Sequence, residues 1–386
     1  MSHRGTHPLR QSKNPRKLAL MTRFLTPLAD ALPSTVPFTG PETLERRQGH
    51  PFRARLGANE SLFGPSPKAI KAMQDAAVEA WKYCDPENHD LKSALASHHG
   101  VSPANLAVGP GIDGLLGLIC RLTLGPGTPV VTSLGAYPTF NFHVAGYGGA
   151  LTRVPYGGDF EDPDALLVAA RQTGARLLYL ANPDNPMGSH HPASVIEDLI
   201  ANLPAETLLL LDEAYADLAP AGTIPDIPAD HPQVIRLRTF SKGYGLAGAR
   251  VGYAITNPDL AVAFDKVRDH FGMTRMSQAG ALAALQDQAW LAKVQAEVIT
   301  ARARVTRTAA ANGLAALPSA TNFVTIDCGR DGDYARRLLA EISQRGVFIR
   351  MPGVAPLDRC IRVSLGDEAA MDVFEAVLPE ALKAVG

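Results

Sequence analysis

Short apolar runs alternate with helix-length amphipathic stretches along the chain from about Ser66. Strands that alternate with helices are typical of a mostly parallel sheet with helices on both faces. The four leucines at 208–211 form a continuous run, which fits a central strand buried on both faces better than a half-exposed one. The predicted strands are 106–108, 130–131, 176–181, 207–211, 234–240 and 251–255, and the helices between them include 113–124, 163–173 and 192–203.

The pattern changes in the last third of the chain. After residue 258 it is helical, with a long periodic segment at 277–312, and short strands follow at 322–327, 347–350 and 361–364. We expect these strands to belong to a smaller α/β domain that closes the chain. The predicted organisation is an extension at 1–29, an arm at 30–65 that packs with the small domain, a large domain at 66–285 and the small domain at 286–386.

The first 29 residues carry basic side chains but neither Asp nor Glu. Their apolar stretch at 18–21 is too short for the core of a secretory signal. The charge bias leaves an organelle transit peptide open, but we favour a disordered extension without function, or an upstream start codon with Met21 as the native start. The basic residues are Arg4, Arg10, Lys13, Arg16, Lys17 and Arg23.

Composition narrows the possible partners. The chain has 386 residues, of which 46% are hydrophobic and 19% charged, as in an ordinary globular protein. Its formal net charge of -1 gives no field that would attract nucleic acid or an anionic membrane. No apolar run approaches the ~20 residues that span a bilayer. We therefore expect neither a nucleic-acid partner nor a membrane span.

The cysteines point to a reducing compartment. Cys84, Cys120, Cys328 and Cys360 lie far apart and form no C-x-x-C pair, which argues against a disulfide framework and a zinc cluster. The adjacent histidine pairs at 98–99 and 190–191 do not have the spacing of metal ligands. The sequence thus predicts a cytoplasmic location and no metal site.

Polar residues follow three of the predicted strands directly. Asn185 lies in the loop after 176–181, Asp212 and Tyr215 follow 207–211, and Lys242 follows 234–240. Open α/β sheets bind their ligands beyond the carboxyl ends of the strands, where these loops meet. Packing does not explain an Asn, an Asp with a Tyr, and a Lys at one sheet edge, so we expect a site there.

Lys242 and Asp212 together indicate a carbonyl chemistry. A lysine in apolar surroundings loses its proton more easily and can form a Schiff base with a carbonyl, either of a substrate, as in an aldolase, or of pyridoxal phosphate. Asp212 ends an apolar strand, where a lone carboxylate is costly unless a cation meets it. A pyridinium nitrogen is such a cation, whereas an aldolase lysine requires no such partner. The alternative for Asp212 is a cap on the following helix.

Two segments, 109–114 and 243–248, match the dinucleotide pattern G-x-G-x-x-G. Neither has the acid that this fingerprint places ~20 residues later to bind the ribose hydroxyls. The first segment follows a strand and opens a helix, whose N-terminus suits a phosphate. We therefore expect an anion site there and no dinucleotide.

Six segments, in order along the chain, resemble one known family. The chain is similar to the fold-type I pyridoxal-phosphate enzymes, namely the class I/II aminotransferases and their histidinol-phosphate aminotransferase group. The resemblance implies an α/β fold with a mostly parallel central sheet covered by helices, a smaller α/β domain, and a role in amino-acid biosynthesis. It rests on segments 58–67, 82–86, 182–188, 212–215, 239–250 and 360–366.

The resemblance assigns roles around the cofactor ring. It implies that Lys242 holds pyridoxal 5'-phosphate covalently and moves the proton between the substrate and the cofactor. Asp212 would pair with the pyridinium nitrogen, and Tyr215 and Asn185 would bond the phenolic oxygen. Tyr137 would stack on the ring face, although it could also be an ordinary half-buried aromatic residue.

The resemblance also assigns the residues that bind the cofactor's phosphate. A helix N-terminus and a guanidinium suit a dianion. One tyrosine would reach this phosphate from the neighbouring subunit, which implies a homodimer with shared active sites. The implied phosphate ligands are the amides of Ile112 and Asp113, the side chains of Thr239, Ser241 and Arg250, and Tyr83 of the neighbouring subunit.

Four residues bear on the substrate: Arg362, Arg350, Phe38, and Asn185, which is also a cofactor residue. Arg362 resembles the arginine that clamps the substrate carboxylate, although on an alternating strand it could instead face solvent. Arg350 stands where the family has its phosphate-binding arginine. Phe38 stands where the family commonly has a tyrosine that helps to bind the substrate phosphate. Histidinol phosphate and aromatic amino acids therefore both stay open as amino donors.

The expected reaction is amino transfer from an L-amino acid or histidinol phosphate to a 2-oxo acid such as 2-oxoglutarate. An aromatic amino acid aminotransferase and a decarboxylase resembling threonine-phosphate decarboxylase are the alternatives within the same chemistry. A non-catalytic, cofactor-binding regulatory module is the alternative from a different class. Lys242 and Arg362 argue against that module, since a silent domain needs neither residue.

Overall fold

The computed structural model describes residues 24–33 and 38–386. Most of the predicted extension, residues 1–23, lies outside the described residues, as does the segment 34–37. A short helix, α1 (Pro27–Ala31), begins at a proline, and its N-cap Thr26 accepts a hydrogen bond from the Ala29 amide. The boundary predicted at residue 29 therefore falls inside a helix. In the part of the chain that is described, no helix is both long and apolar enough to cross a bilayer.

The strands fall into three sheets. They are β1 (Ala54–Arg55), β2 (Leu106–Gly109), β3 (Pro129–Ser133), β4 (Ala150–Val154), β5 (Leu177–Ala181), β6 (Leu208–Asp212), β7 (Val234–Thr239), β8 (Gly252–Ile255), β9 (Ala315–Ala316), β10 (Phe323–Asp327), β11 (Val347–Phe348) and β12 (Cys360–Ser364). The central sheet has the order β2-β8-β7-β6-β5-β3-β4, and β8 is antiparallel to both of its neighbours while the other pairs are parallel.

Helices cover both faces of the central sheet, which confirms the predicted fold class. The helices after α1 are α2 (Pro41–Gln48), α3 (Pro67–Ala77), α4 (His89–His99), α5 (Gly111–Thr123), α6 (Pro138–Gly146), α7 (Pro163–Thr173), α8 (Ala193–Ala201), α9 (Pro258–Ala263), α10 (Arg275–Gln286), α11 (Gln288–Ala311), α12 (Gly332–Gln344) and α13 (Glu368–Val385). The central strands β5 and β6 are buried almost throughout, because α5 and α6 pack on one face and α7 and α8 on the other.

Local signals explain why α7 agrees with its predicted bounds. Its N-cap Asp162 accepts a hydrogen bond from the Ala165 amide, Pro163 occupies the first turn, and Gly174 ends the helix with φ +63°. Proline is preorganised for a first turn, and glycine adopts the left-handed conformation without strain. These three signals are readable in the sequence, and they fix both ends of the helix.

The periodic segment at 277–312 is not one helix, as its continuous pattern suggested, but two. The helices α10 and α11 meet at Asp287, a buried residue whose carboxylate accepts hydrogen bonds from Ser66 Oγ at 2.5 Å and from Lys68 Nζ at 2.9 Å. These partners lie at the start of α3, so the break is fixed by a long-range contact that helical periodicity does not record.

The remaining strands belong to a second core. Strands β12, β10 and β9 form an antiparallel sheet, and β1 of the arm pairs in parallel with β11. Apolar side chains of α11, α12 and α13 pack with β10 and β12 in one cluster, which also takes in Ala54 and Leu56 of the arm. This separate cluster supports our proposal that the small domain begins near Asp287 and that the arm packs with it.

Phe374 tests this second core. Its ring on α13 has no exposed surface, so Phe374→Ala should lower the free energy of unfolding by about 3–5 kcal/mol through lost burial and a cavity. Urea unfolding measures the change. The control Ile299→Ala removes a side chain that is 62% exposed on α11 and should change the stability by less than about 0.5 kcal/mol. Equal effects of the two substitutions would contradict the described core.

Candidate active site

The loops after β5, β6 and β7 meet at one edge of the central sheet. These strands are direct neighbours, and Ala181 lies opposite Asp212 in the register of β5 and β6. The Asn182 amide donates to the Asp212 carbonyl at 2.9 Å, so the pairing continues into the loop. Strand neighbourhood thus brings Asn185, Asp212 and Lys242 to one place, where the sequence predicted a site.

Asp212 is a buried carboxylate without a cation in contact. Tyr179 donates its hydroxyl proton to Oδ2 at 2.7 Å and the Ala214 amide donates to Oδ1 at 2.9 Å. Asp212 takes part in none of the ion pairs among the described residues, and burial raises its pKa to about 6. The amide contact closes a turn two residues along the chain and does not cap a helix, because the short 3-10 helix that follows, Ala216–Leu218, has Tyr215 as its N-cap and no side-chain cap. The alternative of a helix cap is therefore wrong. The described residues offer this carboxylate hydrogen bonds but no ion pair.

Lys242 lies among groups that favour its neutral form. Its Nζ donates to the Asn59 carbonyl at 2.8 Å and lies 5.6 Å from the centroid of the Tyr215 ring. Desolvation, followed by the positive charge of Arg362, lowers the pKa of Lys242 to about 8. A larger fraction of its amine is therefore neutral, and able to attack a carbonyl, than in an exposed lysine.

Tyr215 is fixed by residues from distant parts of the chain. Its hydroxyl accepts a hydrogen bond from Asn59 Nδ2 at 3.0 Å, and burial raises its pKa. Asn59 has φ +54°, a left-handed conformation that asparagine tolerates, and its Oδ1 accepts from Ser364 Oγ at 3.1 Å. Asn322 Nδ2 donates to the Asn59 carbonyl at 3.1 Å. The arm, the large domain and the small domain therefore share this corner of the site.

The first turn of α5 lies next to a cluster of side chains that are able to donate hydrogen bonds to an anion. Ser241 Oγ accepts a hydrogen bond from Thr239 Oγ1 at 2.9 Å and lies 3.5 Å from Arg250 Nη1. The backbone is tight here, because a Cβ on Gly111, which has φ +81°, would lie 2.4 Å from Arg250 Nη2. Thr239, Ser241 and Arg250 thus join the N-terminal turn of α5, which carries the amides of Ile112 and Asp113.

Tyr137 and Phe38 form an aromatic wall. Tyr137 precedes α6, and its ring stacks on that of Phe38 with the centroids 6.2 Å apart and the planes at 21°. Phe38 comes from the arm and is 37% exposed. The position that commonly carries a hydroxyl in the family therefore presents an apolar face next to Tyr137.

Arg362 faces the site and not solvent, so the alternative of a solvent-facing arginine is wrong. Its Nη1 donates to Asn185 Oδ1 at 2.5 Å and its Nη2 to the Gly57 carbonyl at 3.2 Å. The guanidinium carbon lies 5.1 Å from the centroid of the Phe323 ring. Desolvation lowers the pKa of Arg362 to about 10, and its neighbour Arg350 adds to this effect.

Arg350 lies directly beside Arg362. The two backbones exchange hydrogen bonds of 3.2 Å and 2.7 Å in an antiparallel bridge. The Arg350 guanidinium lies 5.4 Å from the ring centroids of Phe38 and Phe348 and donates through Nη2 to the Thr39 carbonyl at 3.0 Å. Neither arginine forms an ion pair with a carboxylate in the described part of the chain. Two cations side by side without counter-ions form a receptor for anions.

Among the described residues, the side chain of Tyr83 forms no hydrogen bond with the predicted phosphate donors of its own chain. Its side chain is 77% exposed and its ring packs on Phe271 with the centroids 4.7 Å apart. Val78 and Trp81 nearby are also largely exposed, at 79% and 80%. Large exposed apolar side chains in one segment are typical of an interaction surface.

Sequence reasoning missed two residues that shape the site. Asn59 lies inside the segment 58–67, but its contacts to Lys242 and Tyr215 depend on the fold. Tyr179 is hidden in the apolar run of β5, where only its hydroxyl, bonded to Asp212, distinguishes it from a core residue. A tyrosine in a strand otherwise composed of Leu and Ala was the available signal.

The chain matches known aminotransferases over nearly all of its length. Residues 54–378 match the family model of the aminotransferases of class I and II. The histidinol-phosphate aminotransferase of Moorella thermoacetica is 32% identical, over 88% of this chain and 88% of that protein. Histidinol-phosphate aminotransferase 1 of Mesorhizobium japonicum is 36% identical, over 85% of this chain and 90% of that protein.

Solved structures agree with this match. The crystal structure of histidinol-phosphate aminotransferase from Sinorhizobium meliloti, in complex with pyridoxal-5'-phosphate, superposes with a TM-score of 0.91 at 55% identity, covering 94% of this chain and 99% of that one. The aspartate aminotransferase of Thermus thermophilus with maleate shares the fold, with a TM-score of 0.76 at 21% identity, over 92% of this chain and 100% of that one. The chain therefore belongs to the class I and II aminotransferases, a family of pyridoxal-phosphate enzymes, and within it to the histidinol-phosphate aminotransferase group.

Proposed function

We propose that this aminotransferase moves the amino group of histidinol phosphate to a 2-oxo acid such as 2-oxoglutarate. The observation that carries the proposal is the adjacent pair Arg350 and Arg362, which have no carboxylate partners among the described residues. Histidinol phosphate has no carboxylate, and its phosphate monoester carries a charge of about -1.5 to -2 at neutral pH. 2-Oxoglutarate carries two carboxylates, so both substrates bring about two negative charges to two arginines.

The donor set of the site fits pyridoxal 5'-phosphate. Asp212 is a buried carboxylate that needs a cation, which the pyridinium nitrogen supplies. The hydroxyls of Thr239 and Ser241, the Arg250 guanidinium and the first turn of α5 suit a phosphate dianion. When bound, the cofactor supplies an electron-withdrawing ring that stabilises negative charge on the carbon bearing the amino group.

The chain's own residues have distinct roles in this proposal. Lys242 holds the cofactor and, because its pKa is lowered, its Nζ can take a proton from the substrate carbon and return it. Tyr215 and Asn185 would donate hydrogen bonds to the phenolic oxygen of the cofactor, and Tyr137 would stack on its ring. Asn185 also contacts Arg362 at 2.5 Å, so it connects the cofactor site with the substrate's anionic group.

A second candidate donor is an aromatic amino acid. The Phe38 and Tyr137 rings form an apolar wall at the site, and Phe38 offers no hydroxyl to a phosphate. An aromatic donor would place its carboxylate at Arg362 and its ring against this wall. Family membership supports amino transfer over the decarboxylase and the non-catalytic alternatives.

The exposed position of Tyr83 supports a homodimer with shared sites. The Tyr83 side chain forms no hydrogen bond with the phosphate donors of its own chain in the described structure, and it lies in an exposed apolar segment with Val78 and Trp81. A two-fold dimer would place this segment of each chain against the other chain. All four cysteines are free and buried, which agrees with the cytoplasmic location that we propose.

Borohydride reduction tests the role of Lys242. The reductant should fix the cofactor on Lys242, and peptide mass spectrometry should find the added mass on that residue. Lys242→Ala should abolish the label. Lys92→Arg is the matched control, because Lys92 is another lysine whose pKa burial lowers, and it should keep the label on Lys242. A label on any other lysine of the wild type would contradict the proposed site.

Arg350→Gln tests the phosphate-bearing substrate. A charge-assisted contact is worth about 1.5–3 kcal/mol, so the substitution should lower kcat/KM for histidinol phosphate by roughly ten- to a hundredfold. The donor half-reaction should be followed in single turnover by the cofactor's absorbance, because 2-oxoglutarate also brings an anion to this arginine. Phenylalanine, which has no distal anion, should be nearly unaffected.

The matched control for this experiment is Arg337→Gln, which removes an exposed arginine of α12 and should leave both donors unchanged. If the wild type converts aromatic amino acids well and histidinol phosphate hardly at all, the proposed substrate is wrong. Phe38 would then be the residue that reports the true donor.

Mixed dimers test the shared site. Tyr83→Ala and Lys242→Ala should each be weakly active or inactive alone. After subunit exchange at equal concentrations, half of the dimers are mixed and each carries one intact site, so about one quarter of the wild-type activity should return. Absence of recovery, with exchange proven by differently tagged subunits, would mean that each site is built from one chain.

A further inference from the structure

Two buried carboxyl groups lie in neighbouring loops next to the candidate active site. Glu161, in the loop after β4, is 2% exposed, and Asp184, in the loop after β5, is 3% exposed. The loops that carry them are cross-linked, since Tyr156 of the first loop donates to Asp184 and His191 of the second bonds the Glu161 carbonyl. Each acid lies close enough to the other to influence its pKa. A hydrogen bond between the two carboxyl groups requires a proton on one of them, because two ionised carboxylates have no donor to offer.

Uncharged donors account for the remaining contacts of the pair. Glu161 accepts from Ser133 Oγ at 2.5 Å and from the Ala181 amide at 3.0 Å. Asp184 accepts from the Tyr156 hydroxyl at 3.0 Å and from the Met187 amide at 3.0 Å. No cation forms an ion pair with either group in the described structure, so nothing would compensate two buried negative charges.

Charged and titratable groups surround the pair at a greater distance. His191 Nε2 bonds the Glu161 carbonyl at 2.8 Å but not its carboxyl group. Asp159 is held in an ion pair with Arg359 at 2.6 Å. The charge of Glu161 contributes to raising the pKa of Tyr179 on β5, and the charge of Asp184 acts in the same direction on the pKa of Arg362.

Burial thus raises the pKa of both acids. The direction is the same for Glu161 and Asp184, because desolvation disfavours the charged form of each. Burial therefore favours retention of a proton by the pair.

The pair holds the turn that carries Asn185. Asp184 Oδ2 accepts from the Met187 amide at 3.0 Å, and the Asp184 amide donates to the Ser189 carbonyl at 2.8 Å. The small domain docks on the same turn, because Thr325 Oγ1 donates to the Pro186 carbonyl at 2.7 Å. A change at the pair would therefore move Asn185 and, through it, Arg362.

We propose that Glu161 and Asp184 share one proton, and that Glu161 is a positioning residue which holds Asn185 and Arg362 in place through Asp184. Loss of the shared proton places two like charges at hydrogen-bond distance and displaces the turn. The kinetic consequence rests on the proposed role of Arg362 in binding the substrate's anion, whereas the shared proton itself does not.

Infrared spectroscopy of the holoenzyme tests the shared proton directly. The difference spectrum between the wild type and Glu161→Gln at neutral pH should contain the C=O stretch of a protonated carboxyl group. Glu206→Gln is the control, because that side chain is 89% exposed and should contribute only a carboxylate band. Absence of the protonated-carboxyl band from the wild type would overturn the proposal, whatever the substrate is.

Kinetics of the same variants test the positioning role. Gln keeps a neutral donor toward Asp184, so Glu161→Gln should stay within about threefold of the wild type, whereas Glu161→Ala should raise KM roughly tenfold or more with a smaller change in kcat. At high pH the wild type should lose activity that Glu161→Gln retains, because Gln has no proton to lose. Equal damage in both variants across the pH range would overturn the positioning role.

If the wild type does not convert histidinol phosphate, the same kinetics can be measured with an amino donor that it does convert, such as glutamate. The failure of the proposed substrate is thereby kept separate from the failure of the shared proton.

Discussion

A carboxylate buried at the end of the central strand is the constraint on which the site depends. Asp212 lies where α-helices cover both faces of the sheet, and its ionised form is costly there without a cation. In the described part of the chain, Tyr179 and Ala214 supply hydrogen bonds to this carboxylate and no residue forms an ion pair with it. Under the proposed assignment, a cationic ring would supply the positive charge, and a carboxylate fixed before binding would also set the orientation of the ring.

The same logic applies with opposite sign on the other side of the site. Arg350 and Arg362 lie on paired backbone segments. Carbonyl oxygens and aromatic faces, and not carboxylates, lower the free-energy cost of burying each guanidinium charge. A carboxylate partner from the protein would have stabilised them more, but it would compete with the substrate. If Arg350 and Arg362 bind the substrate's anion as proposed, that anion would complete a charge complementarity that the described residues leave open.

The sequence predicted the parts of the fold that local signals encode. Buried strands such as β5 and β6 appear as continuous apolar runs, and α7 is bounded by Asp162, Pro163 and Gly174. β4 was missed because it is an edge strand with partly exposed residues and no apolar run. The break at Asp287 was missed because it depends on a contact that is distant in the chain. Ser66, which binds the Asp287 carboxylate, is 221 residues away, and helical periodicity does not record such a contact.

The site shows the same division between local and long-range information. Residues that follow strands directly, such as Asp212 and Lys242, were predictable because a parallel sheet brings strand ends together. Asn59, Tyr179 and Glu161 were not, because each acts through a contact that only the folded chain creates. Residue type gave no signal for Asn59 and Glu161, since an asparagine in a loop and a glutamate before a helix are ordinary, and only a weak one for Tyr179, a tyrosine in a strand otherwise composed of Leu and Ala.

The turn between Asp184 and Gly188 is held by both parts of the chain. In the large domain, the Tyr156 hydroxyl donates to Asp184 at 3.0 Å. In the small domain, Thr325 Oγ1 donates to the Pro186 carbonyl at 2.7 Å and the Ala320 amide donates to the Gly188 carbonyl at 2.8 Å. Asn185 lies in this turn and accepts a hydrogen bond from Arg362. Under the proposed assignment, one short turn would therefore carry contacts to both the cofactor and the arginine that binds the substrate's anion, so a displacement of the turn would affect both.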